Sequence, residues 1–313
     1  MDSNVYVARS HYMTIIPMDE DLFNKKGKLN GINTWRDWHL LPTSRPVFNP
    51  PKVKTNYVNI PGADGSIDAT EALTPYPVYN NREGQCEFYV ITGYGNWANR
   101  YSDIMDYLHG RKFRIILETD PGYYYEGRLA VNEWKSEKDH SRIVIDYNLD
   151  PYKYEVTSST EDWLWDPFNF YDGIIHHAKL FTKIPIEMGE IGEAWEWDPF
   201  NFYYGVIGSI EDNVAQLKLP IHVRSMPTVP TFKINRDHRA GNDDAETAFL
   251  RVIKYKSNGE TVDVVHEVTP TDYQPHTYKF PDIVLRGTNN YIGLACGPKS
   301  KFRVTIDFRC GRL

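Results

Sequence analysis

Cysteine is scarce in this chain of 313 residues: Cys86, Cys296 and Cys310 are the only three. An odd number of widely spaced thiols excludes a disulfide framework and offers no zinc-ligand pattern, so they are expected to be reduced and structural. No basic start followed by an apolar core opens the sequence, which gives no sign of a signal peptide. No run approaches eighteen consecutive apolar residues, so no membrane span is expected. There is no Gly-x-Ser-x-Gly, no phosphate-cradling glycine loop and no dinucleotide fingerprint. Positive charge is lacking too, the formal net charge being −7. A basic face that grips nucleic acid by neutralising phosphates is therefore not expected.

What is abundant is aromatic: 14% of residues, with 22 Tyr and 8 Trp. That composition suits β structure and extensive interfaces. The hydrophobic share of 41% and charged share of 25% are those of an ordinary globular protein, and the length suggests two domains. Charge is placed unevenly. Residues 1–154 carry 18 basic and 20 acidic side chains, residues 155–212 carry 2 and 12, and residues 213–313 carry 15 and 10. The middle segment is thus strongly acidic.

Alternation and turn signals predict mainly β structure. A hairpin is expected from Tyr12 to Pro17, Asp21 to Leu29, a turn at Asn30-Gly31, and a returning segment from Ile32 to Leu41. Pro42, Pro46, Pro50 and Pro51 keep the next stretch extended and out of a sheet interior. A strand from Lys52 to Ile60 then enters a turn built by Pro61, Gly62 and Gly65, with Val58 and Ile60 on one face. Further strands are predicted at Cys86–Ile91, Phe113–Leu117, Tyr123–Trp134 and Ser141–Asn148. One helix stands out: Asn96 can cap it, Trp97, Tyr101, Ile104, Met105 and Leu108 repeat at helical spacing, and Gly110 ends it.

Past residue 154 the chain changes character. The thirteen residues 163–175, WLWDPFNFYDGII, recur 32 residues later as WEWDPFNFYYGVI at 195–207, with ten positions identical. Two copies are too few for a solenoid. Trp163, Trp165 and Asp166, with Trp195, Trp197 and Asp198, could form sugar-stacking platforms with carboxylates for hydroxyls or calcium. The plainer reading makes each copy a structural arm docked on its own or a neighbouring subunit. Strands are expected at Lys179–Ile186, Val214–Val223, Thr231–Ile234, Ala248–Lys256, Thr261–Val268, His276–Leu285, Tyr291–Ala295 and Phe302–Phe308. So many short strands with no credible helix predict a β-sandwich, a jelly roll by preference.

His176, His177, His222, His238 and His266 lack metal-ligand spacing, and the loop Ala240–Glu246 lacks a calcium-loop pattern. No catalytic residue, no metal ligand and no cofactor is expected, and the protein is not read as an enzyme.

A set of ordered segments carries a family resemblance. In chain order these are residues 33–46 (NTWRDWHLLPTSRP), Pro50-Pro51, residues 57–68 (YVNIPGADGSID), Asn81-Arg82, Tyr107–Gly110, Asp120–Arg128 and Asp150–Lys153. Together they resemble the distal tail proteins (Dit family) of long-tailed bacteriophages. After residue 154 the resemblance is thinner, resting on residues 163–173, Pro227–Phe232 and Val304–Leu313, and the second aromatic copy departs from the family pattern.

The resemblance implies a tail-tube-like β-sandwich or barrel with one α-helix over 1–154, forming a homohexameric ring. It implies a peripheral β-sandwich over 155–313, jelly-roll, galectin-like or carbohydrate-module-like. The expected role is a structural hub of the tail tip or baseplate, joining the tail tube protein to the tail-associated tip protein, with DNA passing the channel without specific binding. A receptor-binding protein or a host surface glycan is a further expected partner, a membrane is not, and the expected location is the virion tail tip, with assembly in the host cytoplasm. The alternative is a carbohydrate-binding adhesion protein that acts through the second sandwich.

Overall fold

In the computed structural model, residues 12–44, 48–62, 64–74, 76–91, 97–136, 141–159, 181–187, 217–237, 248–297 and 300–313 are described. The chain divides into two compact units, Met1–Val156 together with Leu313, and Thr157–Arg312.

The first unit is built on an antiparallel sheet. Its strands are β1 (Met13–Pro17), β2 (Ile32–Asn33), β3 (Leu40–Pro42), β6 (Arg82–Val90), β7 (Lys112–Leu117), β8 (Tyr123–Ser136) and β9 (Ser141–Leu149), in the order β2-β1-β7-β8-β9-β6-β3. The short β10 (Lys153–Glu155) pairs with the start of β8. A separate ribbon of β4 (Tyr57–Asn59) and β5 (Ser66–Asp68) stands between β3 and β6 in the chain.

Period-two alternation decides which face is buried. On β6, Cys86, Phe88 and Val90 turn inward while Glu83, Gln85 and Tyr89 turn outward; on β9, Ile143, Ile145, Tyr147 and Leu149 turn inward. Such a sheet covers one face and solvates the other. The cover is α1 (Trp97–Leu108), whose Ile104 and Leu108 are fully buried against the sheet. Tyr101 meets Trp134 of β8 with ring centroids 4.6 Å apart, and Tyr107 donates its hydroxyl to the Ile15 carbonyl at 3.2 Å. A smaller apolar cluster, Ile16, Leu22, Ile116, Tyr124 and Val156, covers the opposite face near β1 and β7.

The predicted first hairpin differs in the structure. Residues 21–29 do not form a strand: Asn24 folds its side chain back, accepting from the Lys26 and Lys28 amides at 2.9 and 3.1 Å, and only an isolated bridge joins Phe23 to Leu29. That local bond competes with sheet pairing and wins. The returning segment is likewise broken. Asn33 Oδ1 accepts from the Trp35 and Arg36 amides, Asp37 Oδ2 accepts from the Asn33 amide at 2.7 Å, and His39 sits at φ 54°. Between them Gly31 has φ 88°, and a Cβ there would lie 2.2 Å from the Ile15 carbonyl oxygen, so only glycine fits. Strands β6, β7, β8, β9 and the helix fall where alternation and helical spacing put them, the expected cap Asn96 lies outside the described residues, and β6 begins four residues before the expected start at Cys86.

The second unit is a sandwich of two four-stranded antiparallel sheets. One runs β11 (Ile184–Glu187), β18 (Lys301–Asp307), β13 (Thr231–Arg236), β16 (His276–Lys279); the other runs β12 (Leu217–Ile221), β17 (Asn290–Cys296), β14 (Leu250–Tyr255), β15 (Val262–Val268). Both contribute to one core: Phe232, Ile234, Phe302, Val304 and Ile306 from the first, Leu219, Leu250, Val252, Ile292 and Leu294 from the second. Mainly β structure with a single described helix is the architecture throughout.

Candidate functional site

The aromatic candidates Trp163, Trp165, Asp166, Trp195, Trp197 and Asp198 lie outside the described residues, as do His176, His177, His238 and the loop at 240–246. His222 turns its ring to the Thr288 carbonyl. His266 bonds Asp282 at 2.8 Å and stacks on Phe280 at 4.1 Å, an arrangement that ties an edge strand to a neighbouring turn. No group of three or more His, Cys, Asp or Glu among the described residues is placed to hold a metal ion, and none of the described helices is long and apolar enough to cross a membrane.

Among the described residues, a group of exposed apolar side chains lies on the β4-β5 ribbon, which is built as an arm. Its stem pairs Lys54 with Val78 and Asn80 with Lys52, each amide-to-carbonyl distance being 2.8 Å. Beyond it Tyr57, Val58 and Asn59 face Asp68, Ile67 and Ser66. Gly62 (φ 83°) and Gly65 (φ 76°) turn the tip. At the ribbon's shoulder the Thr70 amide donates to Asp68 Oδ1 at 3.0 Å, and the Asn56 amide to Thr70 Oγ1 at 3.0 Å; donation from Thr70 holds the Asp68 carboxyl below its ordinary pKa. Tyr57 is 58% exposed, Ile67 54% and Leu73 98%, with Val58 and Ile60 exposed beside them. A two-stranded ribbon covered on neither face is marginal alone. Contiguous exposed apolar side chains mark an interaction surface.

The arm is rooted by a buried cation. Arg82, at the start of β6, is 5% exposed and gives its Nε to the Pro151 carbonyl at 2.9 Å and its Nη1 to the Asn49 carbonyl at 3.0 Å. Its guanidinium also lies 5.5 Å from the centre of the Tyr125 ring. Burial lowers its pKa from the usual arginine value, and the two carbonyls and the ring satisfy the charge without a carboxylate. Around it, the Asn49 amide donates to the Tyr147 hydroxyl at 2.9 Å, Asn81 donates to Asn148 at 2.7 Å, and Tyr79 meets Tyr152 edge-on at 5.9 Å. Asp120 pairs with Lys153, which also faces the Tyr123 ring. Asn81, Arg82, Asp120, Pro151 and Lys153, quoted above for the family resemblance, are thus brought into the joints of the first unit. There they hold the scaffold.

Beside the root lies the solvated face of the sheet, where cross-strand pairs cancel charge. Lys112 opposes Arg128, which opposes Asn148, which opposes Glu83. Asn148 donates to Glu83 at 2.9 Å and Asn132 to Asp146 at 2.9 Å; Lys112 pairs with Glu126, and Arg142 bonds Glu87 at 2.6 Å and reaches Glu133 at 3.5 Å. Hydrogen bonding to Glu126 raises the Lys112 pKa, and the Lys135 ammonium lowers that of Glu133. Five cations, Lys112, Arg114, Arg128, Lys135 and Arg142, share this face with five carboxylates, Glu83, Glu87, Glu126, Glu133 and Asp146, so the formal charges balance, although Arg114 and Arg128 bond backbone carbonyls and Glu133 serves both Lys135 and Arg142. A shallow trough crosses this face from Gly110 over Ala130 to Gln85 and Asn49.

Sequence reasoning located the turn of the arm but not its exposure. The available signal was its isolation: Pro50-Pro51 before it and Pro75 and Pro77 after it bar the flanking chain from a sheet interior.

No protein-family model matches this chain, and no curated protein matches it. Among solved structures it is similar to the Dit protein (gp 19.1) of SPP1, described as a paradigm of the hub adsorption apparatus in phages that infect Gram-positive bacteria. The match covers 96% of this chain and 99% of that one, with a TM-score of 0.52 and 14% sequence identity. What two chains so far apart in sequence share is the fold, and the fold of this chain is that of a Dit-like distal tail protein.

Proposed function

We propose that this protein is the hub of a bacteriophage tail tip, a structural protein with no catalytic, metal or cofactor site. The observation that carries the reading is the likeness to the SPP1 Dit protein along nearly the whole length of both chains. In this reading the first unit closes side by side with copies of itself into a hexameric ring, which joins the tail tube protein to the tail-associated tip protein. The second unit is peripheral and is where a receptor-binding protein or host glycan would be met. The protein is assembled in the host cytoplasm and resides at the virion tail tip.

Two features of the first unit support this reading, one for the ring and one for DNA passage. The β4-β5 arm offers Tyr57, Val58, Ile60 and Ile67 to a partner while its root stays pinned by Arg82. An arm on one protomer and its seat on the next make a head-to-tail contact, the kind that closes into rings when the rotation fits. The charge-paired sheet face supports DNA passage, since a wall without net positive charge gains nothing from phosphate neutralisation. Negative-stain microscopy of the purified protein tests the reading: pierced discs are expected, and particles of protomer size in the presence of both tail partners would refute it.

A further inference from the structure

The first unit carries two surfaces of opposite charge at one level of its sheet. Register runs in a single row from Pro17 of β1 through Phe113 of β7, Gly127 of β8 and Leu149 of β9 to Arg82 of β6. At one end of the row the chain leaves β1 through a knuckle, residues 18–23; at the other it enters β6 from the stem of the arm. The two ends are four strands apart, about 19 Å along the sheet. The knuckle is acidic and firmly held. Leu22 is buried beside Ile16 and Ile116, the Arg114 guanidinium donates to the Pro17 and Met18 carbonyls at 3.3 Å each, and Asn30 donates to the Asp21 carbonyl at 2.6 Å. Met18, Asp19, Glu20, Asp21 and Phe23 are left exposed. The stem is basic and turns its charges away from its own scaffold. Lys54 stands opposite Val78 and Lys52 opposite Asn80, so these four exposed side chains share a face. The other face carries Val53 and Tyr79, and Tyr79 meets Tyr152 of the same protomer. Among the described residues, none of Asp19, Glu20, Asp21, Lys52 and Lys54 takes part in an ion pair.

We propose that the stem face of Lys52, Lys54 and Val78 docks on the knuckle of a second copy of this chain, the next protomer of the ring. The inference rests on the hub reading above and names the seat that the arm's root takes. Two ammonium groups beside an exposed valine meet three carboxylates flanked by Met18 and Phe23, so charge and apolar contact agree across the joint. The other cations of the knuckle's loop, Lys25, Lys26 and Lys28, belong to the separate turn that Asn24 closes. The shared row decides the geometry. When sister sheets stand side by side with their strands aligned, joining one end of the row to the other adds rotation and no displacement along the strands. A head-to-tail contact of that kind closes into a ring, whereas a displaced one winds into an open filament.

Charge reversal in the full-length chain tests this, with pierced discs counted by negative-stain microscopy at low salt and both tail partners present. Lys52→Glu with Lys54→Glu should abolish the discs, and so, in a separate protein, should Asp19→Lys with Glu20→Lys. All four positions are exposed, and a chain carrying both reversals again sets opposite signs across the joint. That combined variant should recover the discs, which misfolding of either parent variant would not allow. Discs that survive either reversal alone, or that the combined variant fails to recover, would overturn the docking while the hub reading stands. Unaltered protein that forms no discs would overturn the hub reading, and this proposal with it.

Discussion

Arg82 and Pro151 are joined by a guanidinium-to-carbonyl bond of 2.9 Å across 69 residues of chain, and the arm begins where they meet. The same guanidinium holds the Asn49 carbonyl on the other side of the arm's base. One side chain therefore fixes both ends of an excursion of about thirty residues, which is how an exposed ribbon can have a defined direction.

Replacing Arg82 with Met keeps much of the apolar stem and removes both bonds. Two carbonyls lose a charged donor, a cost of about 1–3 kcal/mol in thermal or denaturant unfolding. Arg82→Lys should recover only part of it, because an ammonium lacks the rigid fork that serves two acceptors at once. Hydrogen exchange at the arm's stem amides, Lys54 and Asn80, should quicken in Arg82→Met, and unchanged exchange would show that the root is held elsewhere.

Tyr57→Lys and Ile67→Lys, the first placed opposite Asp68 where an opposite charge is tolerated, separate assembly from folding. Both residues are more than half exposed in the protomer, so stability should change by no more than about 0.5 kcal/mol. Ring formation, read by light scattering, should fail in the double variant. Retained assembly would remove the arm from the interface.

The paired sheet face gives a prediction about DNA. Glu83→Lys, Glu87→Lys and Asp146→Lys together would turn a balanced face basic. The variant should retain DNA at low salt and release it as salt rises, where the unaltered protein retains none. Equal retention by both would place this face away from any DNA path.

Asp37 sets an acid limb of stability. Its pKa is lowered chiefly by the hydrogen bond from Arg36, with a further bond from the Asn33 amide. A carboxyl depressed on folding contributes stability above its unfolded value, near 3.8, and loses it as the pH falls through the lower folded value. Asp37→Asn should therefore flatten the fall in stability below about pH 4. An acid limb identical to that of the unaltered protein would contradict the assignment.

Much of the scaffold was legible in the sequence because its signals are periodic. Ile104 and Leu108 sit at helical spacing, and Cys86 and Phe88 alternate with Gln85, Glu87 and Tyr89, so burial could be read from position alone. Asn24 and Asn33 were not legible as strand breakers, since their side-chain bonds depend on geometry that a residue pattern does not carry. The arm was half legible. Gly62 and Gly65 announced the turn, but alternation does not say whether a face finds a covering layer, and here Val58 and Ile67 find none among the described residues of the protomer. Arg82 was quoted as part of the family pattern, yet its burial depends on Pro151 and Asn49, which meet it only in three dimensions.

Cryo-electron microscopy of the purified full-length protein, alone and mixed with the tail tube and tip proteins, is the most direct test of the hub. The account predicts sixfold discs around an open channel, with each arm's Tyr57 and Ile67 buried against the next protomer and the sandwich units at the rim. Protomers with solvated arms, and no channel in either sample, would contradict it.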